Sequence, residues 1–494
     1  MQRQRPFDAG CSRLCVWFAG LALALAMPRP ALPQGDSGYL PLRAAFHVHS
    51  SFSTGAQSLE EIAALARSRH VDVVILGDPD ILSVQYGAPF LRRLLRFGRQ
   101  ERAVLSDYSA AAYLAEIERV NAAFPGVVLV DGMESAPFYY WEVDALAGRW
   151  VVHNWNKHLV SVGLGRPEFY RRLPVIDSGN LGVWHWTSLL ALWPLLGLAY
   201  GWVARRRHPR WVLYPVMGIA VLALVNNFPF TVPLWDAYHG DLGAAPYQRY
   251  IDYVRERGGL VFWAHPESRS TLPPVELLGG RVRVTSQTSP HAEDLLNTDR
   301  YTGFAALYGD RAVAVEPGGV WDQTLRQYLD GERPRPVWGV GEADYHGEDP
   351  ARHLRLDDIL TVVWARQPTA AAVLEALRAG RCYAVRGADS WLTLDGFTVS
   401  TRLGQGETGA TVPSAGQVRV HATVGRYDGG AEPVEVRLVR GGQVIERLSG
   451  TTPFTVGRVE AALAPGEKTW YRLLVQTPSS RLVSNPIFAV AEAP

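Results

Sequence analysis

Apolar positions along this chain follow two rhythms, and the change between them falls near residue 388. Before that point, short apolar runs such as VDVVIL (71–76) and LVFWA (260–264) alternate with longer amphipathic segments. Short runs bounded by Gly, Pro and Asp read as buried strands, and the amphipathic segments between them read as helices. The pattern predicts strands over 39–49, 71–76, 127–130, 159–163, 260–264, 311–315, 336–340 and 359–365. It predicts helices over 58–69, 108–123, 247–257, 323–329 and 369–378. The first helix carries its own start signal, because Ser58 at the N-cap and Glu61 three residues on can form a capping box. Ile62, Leu65 and Ala66 make its buried stripe. Gly258-Gly259 and Gly380 follow later helices as stops. Strand–helix alternation of this kind indicates an α/β fold with a largely parallel sheet.

After residue 388 the helical period stops. Short alternating runs take over, among them WLTLDGFTV (391–399), QVRVHATV (417–424) and WYRLLVQT (470–477), punctuated by Gly, Pro, Asp and Ser. Residues 388–494 therefore read as a β-sandwich accessory domain. It holds no cluster of His, Asp or Glu that suggests a site.

Two segments interrupt the α/β pattern. Residues 184–203 and 211–230 contain no Asp, Glu, Lys or Arg, and each has the roughly 20 residues needed to cross a bilayer. Arg205, Arg206, Arg207 and Arg210 lie between them, and Trp184, Trp186, Trp202, Trp211 and Tyr214 sit near their ends. Basic loops stay on the cytoplasmic side and aromatic belts mark the interface, so 181–232 reads as an inserted transmembrane hairpin. At the N-terminus, Arg3, Arg5 and Arg13 precede the apolar run 15–26, and Ala24-Leu25-Ala26 offers a small-x-small cleavage pattern. Residues 1–35 read as a signal peptide or N-terminal anchor. The signal would export residues 36–180, the hairpin would enter and return, and 233–387 would rejoin the first half on the periplasmic or extracellular side.

The chain has 494 residues, enough for two or three domains. Its formal net charge is +1, which gives no electrostatic case for nucleic acid as a partner. Three cysteines, Cys11, Cys15 and Cys382, rule out a disulfide framework. Cys382 reads as a small buried hydrophobe.

Chemistry gathers where the strands end. The AAFHVHSSFSTG stretch (44–55) puts His47 and His49 two residues apart, on one face if the strand is regular. Asp78, Glu134, His265, Asp344 and His346 fall at later strand ends, and His158 stands at a strand start. In α/β folds the C-terminal strand ends carry the site. Imidazoles and carboxylates together suit Zn, Mn or Fe, and a pair of such ions can activate water for hydrolysis.

HVHSSFSTG with LEEIAALARSRHVDVVILGDPD, then GGLVFWAHP, then GVGEADYHG and VVWARQPTAAAVLEALRAGRCYAV, resemble in order the motifs of the PHP (polymerase and histidinol phosphatase) superfamily. The resemblance covers roughly residues 40–386 outside the apolar insertion. It implies a distorted (β/α)7 barrel and metal-dependent hydrolysis, most often of phosphoesters, with some relatives acting on carbamates or other esters. Carried over by position, His47, His49, Glu134 and Asp344 would hold a first divalent ion. Glu134, His158 and His265 would hold a second, with Glu134 between them. His153 is the rival for the His158 place.

Two departures matter. Thr54 stands where the family usually has Asp, and Gly77-Asp78-Pro79 stands where it usually has Thr-Asp-His. A third metal position is therefore expected to be lost or weak, with Asp80 as a partial substitute. The expected function is a membrane-tethered hydrolase of small phosphoesters using a metal-activated hydroxide. Asp344 would orient or deprotonate the water, and His346 and Arg269 would bind substrate and neutralise charge. Glu316 is left outside the site. A carbamate or carboxylic ester substrate, or a non-catalytic binding module on the same scaffold, are the alternatives.

Overall fold

The computed structural model describes residues 38–492 apart from 278, 310–311, 350–353 and 388–389. The expected leader at 1–35 lies outside the described residues.

Successive residues of the early strands bury on opposite faces. Ala44 and Phe46 join one apolar cluster with Val73, Ile75, Val130, Val160, Phe262 and Val340. Ala45, Val74 and Leu76 join another with Ile62 and Ala66 of the Leu59–Ser68 helix and with Tyr113 and Ile117 of the Ala110–Ala123 helix. Strands buried on both faces read as continuous apolar runs, and each large side chain so buried contributes roughly 1.5–3 kcal/mol. The Leu59–Ser68 helix starts as its sequence requires: Ser58 accepts from the Glu61 amide, and the Glu61 side chain returns to the Ser58 backbone.

Neighbouring strands follow one another around the inner cluster. Leu40–Val48 pairs in parallel with Val73–Leu76, which pairs in parallel with Val128–Val130. After Gly77 and Asp131 the last two continue as Asp78–Pro79 and Gly132–Ser135, again parallel, in a second sheet. That sheet runs on through Leu159–Val162, Leu260–Trp263, Gly303–Leu307 and Trp338–Gly341. Beyond it, Ala343 N donates to Phe46 O at 2.9 Å and Tyr345 N to His47 O at 3.0 Å, alongside the first strand again.

The sheets are mixed, which corrects the largely parallel expectation. Leu159–Val162 is antiparallel to both its neighbours, and Ile359–Ala365 is antiparallel to Leu40–Val48. The reason is local. The chain leaves Gly132–Ser135 through the antiparallel pair Tyr140–Asp144 and Arg149–His153, not through a crossover helix, so it returns reversed. The strand expected over 311–315 is also corrected: its first residue lies outside the described residues, and 312–315 is irregular and turn. The strand that fills this place is Gly303–Leu307, held between Leu260–Trp263 and Trp338–Gly341. Glu316 consequently ends no strand and pairs with Arg437 at 2.7 Å and Arg481 at 2.8 Å.

Residues beyond 390 are strands, as their alternation requires. Leu392–Ser400, Gln405–Glu407, Val418–Arg426 and Phe454–Glu460 form one sheet. The others continue the first sheet, because Ser480–Ser484 pairs with Cys382–Gly387. The seam is buried: Arg472 donates to Asp322 from Nε at 2.9 Å and from Nη2 at 2.7 Å. Asn485 meets Gly339 and Cys382 nearby, and burial pushes the Cys382 thiol up to about 12.

Between Leu159–Val162 and Leu260–Trp263 stands the apolar insertion. Trp186–Ala204 and Arg210–Asn227 are long and apolar enough to cross a membrane, and both are largely exposed. Gly182–Val183 pairs with Val232–Pro233 at the base of the insertion.

Candidate metal centre

The first strand is irregular where its chemistry begins. Its register shifts between Phe46 and Val48, and His47 between them adopts φ 65°. The two histidines meet because of that bulge, not through simple alternation, and their Nε2 atoms lie 3.1 Å apart. His265 (φ 27°) and Asp344 (φ 47°) share the left-handed backbone. Such conformations are uncommon outside glycine and collect at functional sites. Gly77 makes room for the arrangement, since a methyl group there would overlap the His47 ring.

Around these residues the carboxylates converge. Asp344 Oδ1 lies 3.1 Å from His49 Nε2 and 3.8 Å from His47 Nε2. Glu134 Oε1 lies 3.3 Å from His47 Nε2 and 3.5 Å from His265 Nε2, and it presses against His158 Nδ1. Glu134 Oε2 is 3.9 Å from His49 Nε2. One carboxylate thus stands between the His47–His49 pair and the His158–His265 pair.

Charge follows geometry. Burial works against protonated His47, but the Glu134, Glu342 and Asp344 carboxylates hold its pKa well above the ordinary value. Burial likewise opposes ionised Glu134 and Asp344, and the surrounding imidazoles hold both well below the carboxylate range. His265 is raised despite its burial, chiefly by Glu134. His49 is lowered by burial and by the charge of His346.

The donor set fits divalent metal. His47, His49 and Asp344 place ligand atoms within 4.8 Å of one another, and so do Glu134, His158 and His265. Two buried imidazole nitrogens facing each other cannot satisfy one another unless one carries a proton, and the single oxygen Glu134 Oε1 is approached by nitrogens of His47, His158 and His265 at once. A cation shared with the carboxylates would satisfy these atoms together.

The remaining sequence candidates separate into two groups. His346 and Arg269 line the open cleft beside the cluster, a space of about 580 Å³. The His346 ring stacks on His49 at 4.0 Å. His153 lies elsewhere, 2.9 Å from Glu142 and stacked on Tyr140. Asp78, grouped by sequence with the strand-end ligands, is instead an architectural anchor. It accepts from Ser50 N at 2.7 Å, Ser50 Oγ at 2.8 Å and Tyr113 Oη at 2.9 Å, as well as from Ser53, and so fixes the loop that carries His49. Thr54 Oγ1 lies 3.3 Å from His49 Nδ1. Asp80 accepts from Ser135 Oγ and the Ile81 amide, and burial raises its carboxyl to about 7.

Two residues escaped sequence reasoning. Glu342 Oε1 receives His47 Nδ1 at 2.7 Å, and its Oε2 accepts from the His265 amide at 3.1 Å. A carboxylate behind a ligand histidine fixes the ring and sharpens its basicity. Tyr308 donates to Asp344 Oδ2 at 3.1 Å, and Asp344 together with burial raises the phenol. Glu342 was visible in the GEADYH stretch, but its role depends on which way the His47 ring faces.

PHP-like phosphoesterases are among the solved structures similar to this chain. One is a two-domain protein from Bacteroides vulgatus containing a predicted PHP-like metal-dependent phosphoesterase, at 13% identity and TM-score 0.35, covering 92% of this chain and 99% of that one. Another is a protein from Bifidobacterium adolescentis described as a putative metal-dependent phosphoesterase, at 15% identity and TM-score 0.25, covering 64% and 93%. A third is an amidohydrolase from Chromobacterium violaceum with bound sulfate, at 14% identity and TM-score 0.27, covering 63% and 89%. No family model and no curated protein matches the chain. At these scores the likeness is one of outline, and the chemistry of the site rests on its own geometry.

Proposed function

We propose that this chain is a membrane-tethered, extracytoplasmic, metal-dependent hydrolase of phosphoesters, built on a distorted (β/α)7 barrel of the PHP kind. The observation that carries the reading is Glu134, placed between two ligand groups at the floor of an open cleft. His47, His49 and Asp344 would hold one ion and His158 and His265 the other, with Glu134 shared. Bound divalent ions supply Lewis acidity and lower the pKa of water.

The chain's own residues do the rest. Asp344, kept ionised by its imidazole neighbours, can accept a hydrogen bond from a water in the cleft and so orient it. Tyr308 holds Oδ2 of that carboxylate in place. His346 stands on the cleft wall, able to neutralise developing charge. Arg269 lines the same cleft, as does Arg99 paired with Glu101 at 2.7 Å, and a cation such as Arg269 favours an anionic phosphoester over a neutral ester or carbamate. Two ions rather than three is a reading supported by Thr54 turning to His49 and by Asp78 being taken up by Ser50, Ser53 and Tyr113. The barrel reading is supported by the backbone bonds that return Ala343 and Tyr345 to the first strand. The membrane reading is supported by the two exposed apolar helices and the arginines between them, with the cleft on the outer side.

Elemental analysis of the detergent-purified protein tests the reading. About two ions per chain are expected, falling together with phosphoesterase activity in Glu134→Ala while the circular dichroism stays unchanged. Full activity in Glu134→Ala would sink the proposal.

A further inference from the structure

One element of the chain belongs neither to the metal centre nor to the helical insertion, yet it touches both. The strands Ser83–Gly87 and Arg96–Gln100 form a two-stranded hairpin. Its roots reach the cleft, where Leu82, Arg99 and Glu101 are part of the wall. Its tip reaches the end of the Arg210–Asn227 helix. Arg93 N donates to Asn226 Oδ1 at 3.1 Å, and the Arg93 guanidinium donates to the carbonyls of Asn227, Phe228 and Thr231 at 3.3, 2.7 and 3.0 Å. A cation that satisfies the last carbonyls of a helix also complements its dipole, so Arg93 pins the tip to the place where the chain leaves the apolar helix. Five-residue strands extend roughly 17 Å, which sets how far the cleft can stand from that exit.

The rest of the hairpin is unusual for a solvent-exposed loop. Phe90 is 94% exposed and holds φ 65°, an outlier for a bulky side chain. Leu94, Leu95 and Phe97 are exposed with it. Among these apolar residues stand Arg92, Arg93, Arg96 and Arg99, and residues 83–100 contain no Asp or Glu. Arg92 lies over the Tyr238 ring at 4.0 Å and 3.5 Å from Asp236, while Arg99 meets Glu101 at 2.7 Å. Exposed aromatic and leucine side chains interleaved with arginine suit a surface that is apolar below and anionic above.

We propose that this hairpin is a foot that rests in the bilayer surface. Phe90, Leu94 and Leu95 enter the interface beside the helix exit, and Arg92 and Arg96 meet the headgroups of anionic phospholipid. The proposal rests on the reading of Trp186–Ala204 and Arg210–Asn227 as membrane spans, so its test carries a control for that reading.

The full chain, with Cys11 and Cys15 replaced by Ser and buried Cys382 kept, is labelled with an environment-sensitive fluorophore at Phe90→Cys or, as the control, at Leu196→Cys. It is reconstituted in phosphatidylcholine vesicles with or without about 30% phosphatidylglycerol, and quenching by spin-labelled acyl chains is read. Quenching at both positions is expected, and about two-fold or more of the Phe90 signal should be lost when Arg92→Glu and Arg96→Glu are combined in the anionic vesicles. Quenching at Leu196 without quenching at Phe90 overturns the foot and leaves the membrane helices standing. Quenching at neither position overturns the membrane reading and the foot with it. Phe90 shielded from an aqueous quencher yet untouched by labelled lipid would mean that a protein surface covers the hairpin, and this too overturns the proposal.

Discussion

His47 Nδ1 lies 2.7 Å from Glu342 Oε1, and both side chains are buried. With that nitrogen engaged, the opposite nitrogen of the ring is turned toward His49, Glu134 and Asp344. Replacing Glu342 by Gln keeps the shape and removes the charge. Metal affinity is expected to fall by about 10–100-fold, measured by competition with a chelator, while the circular dichroism holds. Unchanged affinity would mean that Glu342 does no more than fill space.

The raised pKa values of His47 and His265 set a pH dependence with a definite sign. A metal takes the neutral ring, so protons compete with it, and loading should weaken on acidification. The metal-free protein should show the reverse trend from these two groups. Their contribution to its stability is complete below the unfolded histidine value near 6.5 and is lost as pH rises through their raised folded values. Thermal melts of metal-loaded and metal-free protein at about pH 6 and about pH 8 check this: the gap between the two forms should widen at the higher pH.

Gly77 offers a test of fit without touching a ligand. Gly77→Ala drives a methyl into the His47 ring, and overpacking of this kind costs about 1–3 kcal/mol. Metal content should fall more sharply than stability, because the displaced ring is the one shared by the ligand group. Normal metal loading in this variant would show that the ring has room to move.

The Arg472–Asp322 pair ties the C-terminal strands to the helix Val320–Leu329. Arg472→Met leaves Asp322 buried without its partner and should cost about 3–5 kcal/mol. Adding Asp322→Leu should restore much of that loss, since an apolar pair of similar volume avoids the stranded charge. Denaturant melts of the single and double variants decide it; equal losses in both would locate the cost in packing.

Much of the site was legible because metal chemistry restricts residue type and strand ends restrict position. His47, His49, Glu134, His158, His265 and Asp344 do come together, and the capping box at Ser58 and Glu61 formed as its spacing required. Asp78 does stand at a strand end, but sequence gives the residue and not the direction of its side chain, and here Ser50, Ser53 and Tyr113 take its oxygens. The Gly303–Leu307 strand was hidden by its two alanines and by the stronger alternation of AVAV just beyond it. Tertiary pairing with Phe262 and Trp338 overrode local propensity there. The Ser83–Gln100 hairpin was missed because its arginines and Gly-Pro punctuation resemble an ordinary surface loop.

The pairing of Val160 with Phe262 has a consequence for how the protein is made. With the two apolar helices in a bilayer, these partners leave the ribosome on either side of both membrane crossings. Until the second crossing is finished, the strand Leu159–Val162 keeps one side unpaired, and open strand edges invite aggregation. If those helices do cross a bilayer, completion of this sheet therefore waits on their insertion. On that reading, a lesion in either helix would be felt first as a failure of the sheet to close, before any loss of attachment.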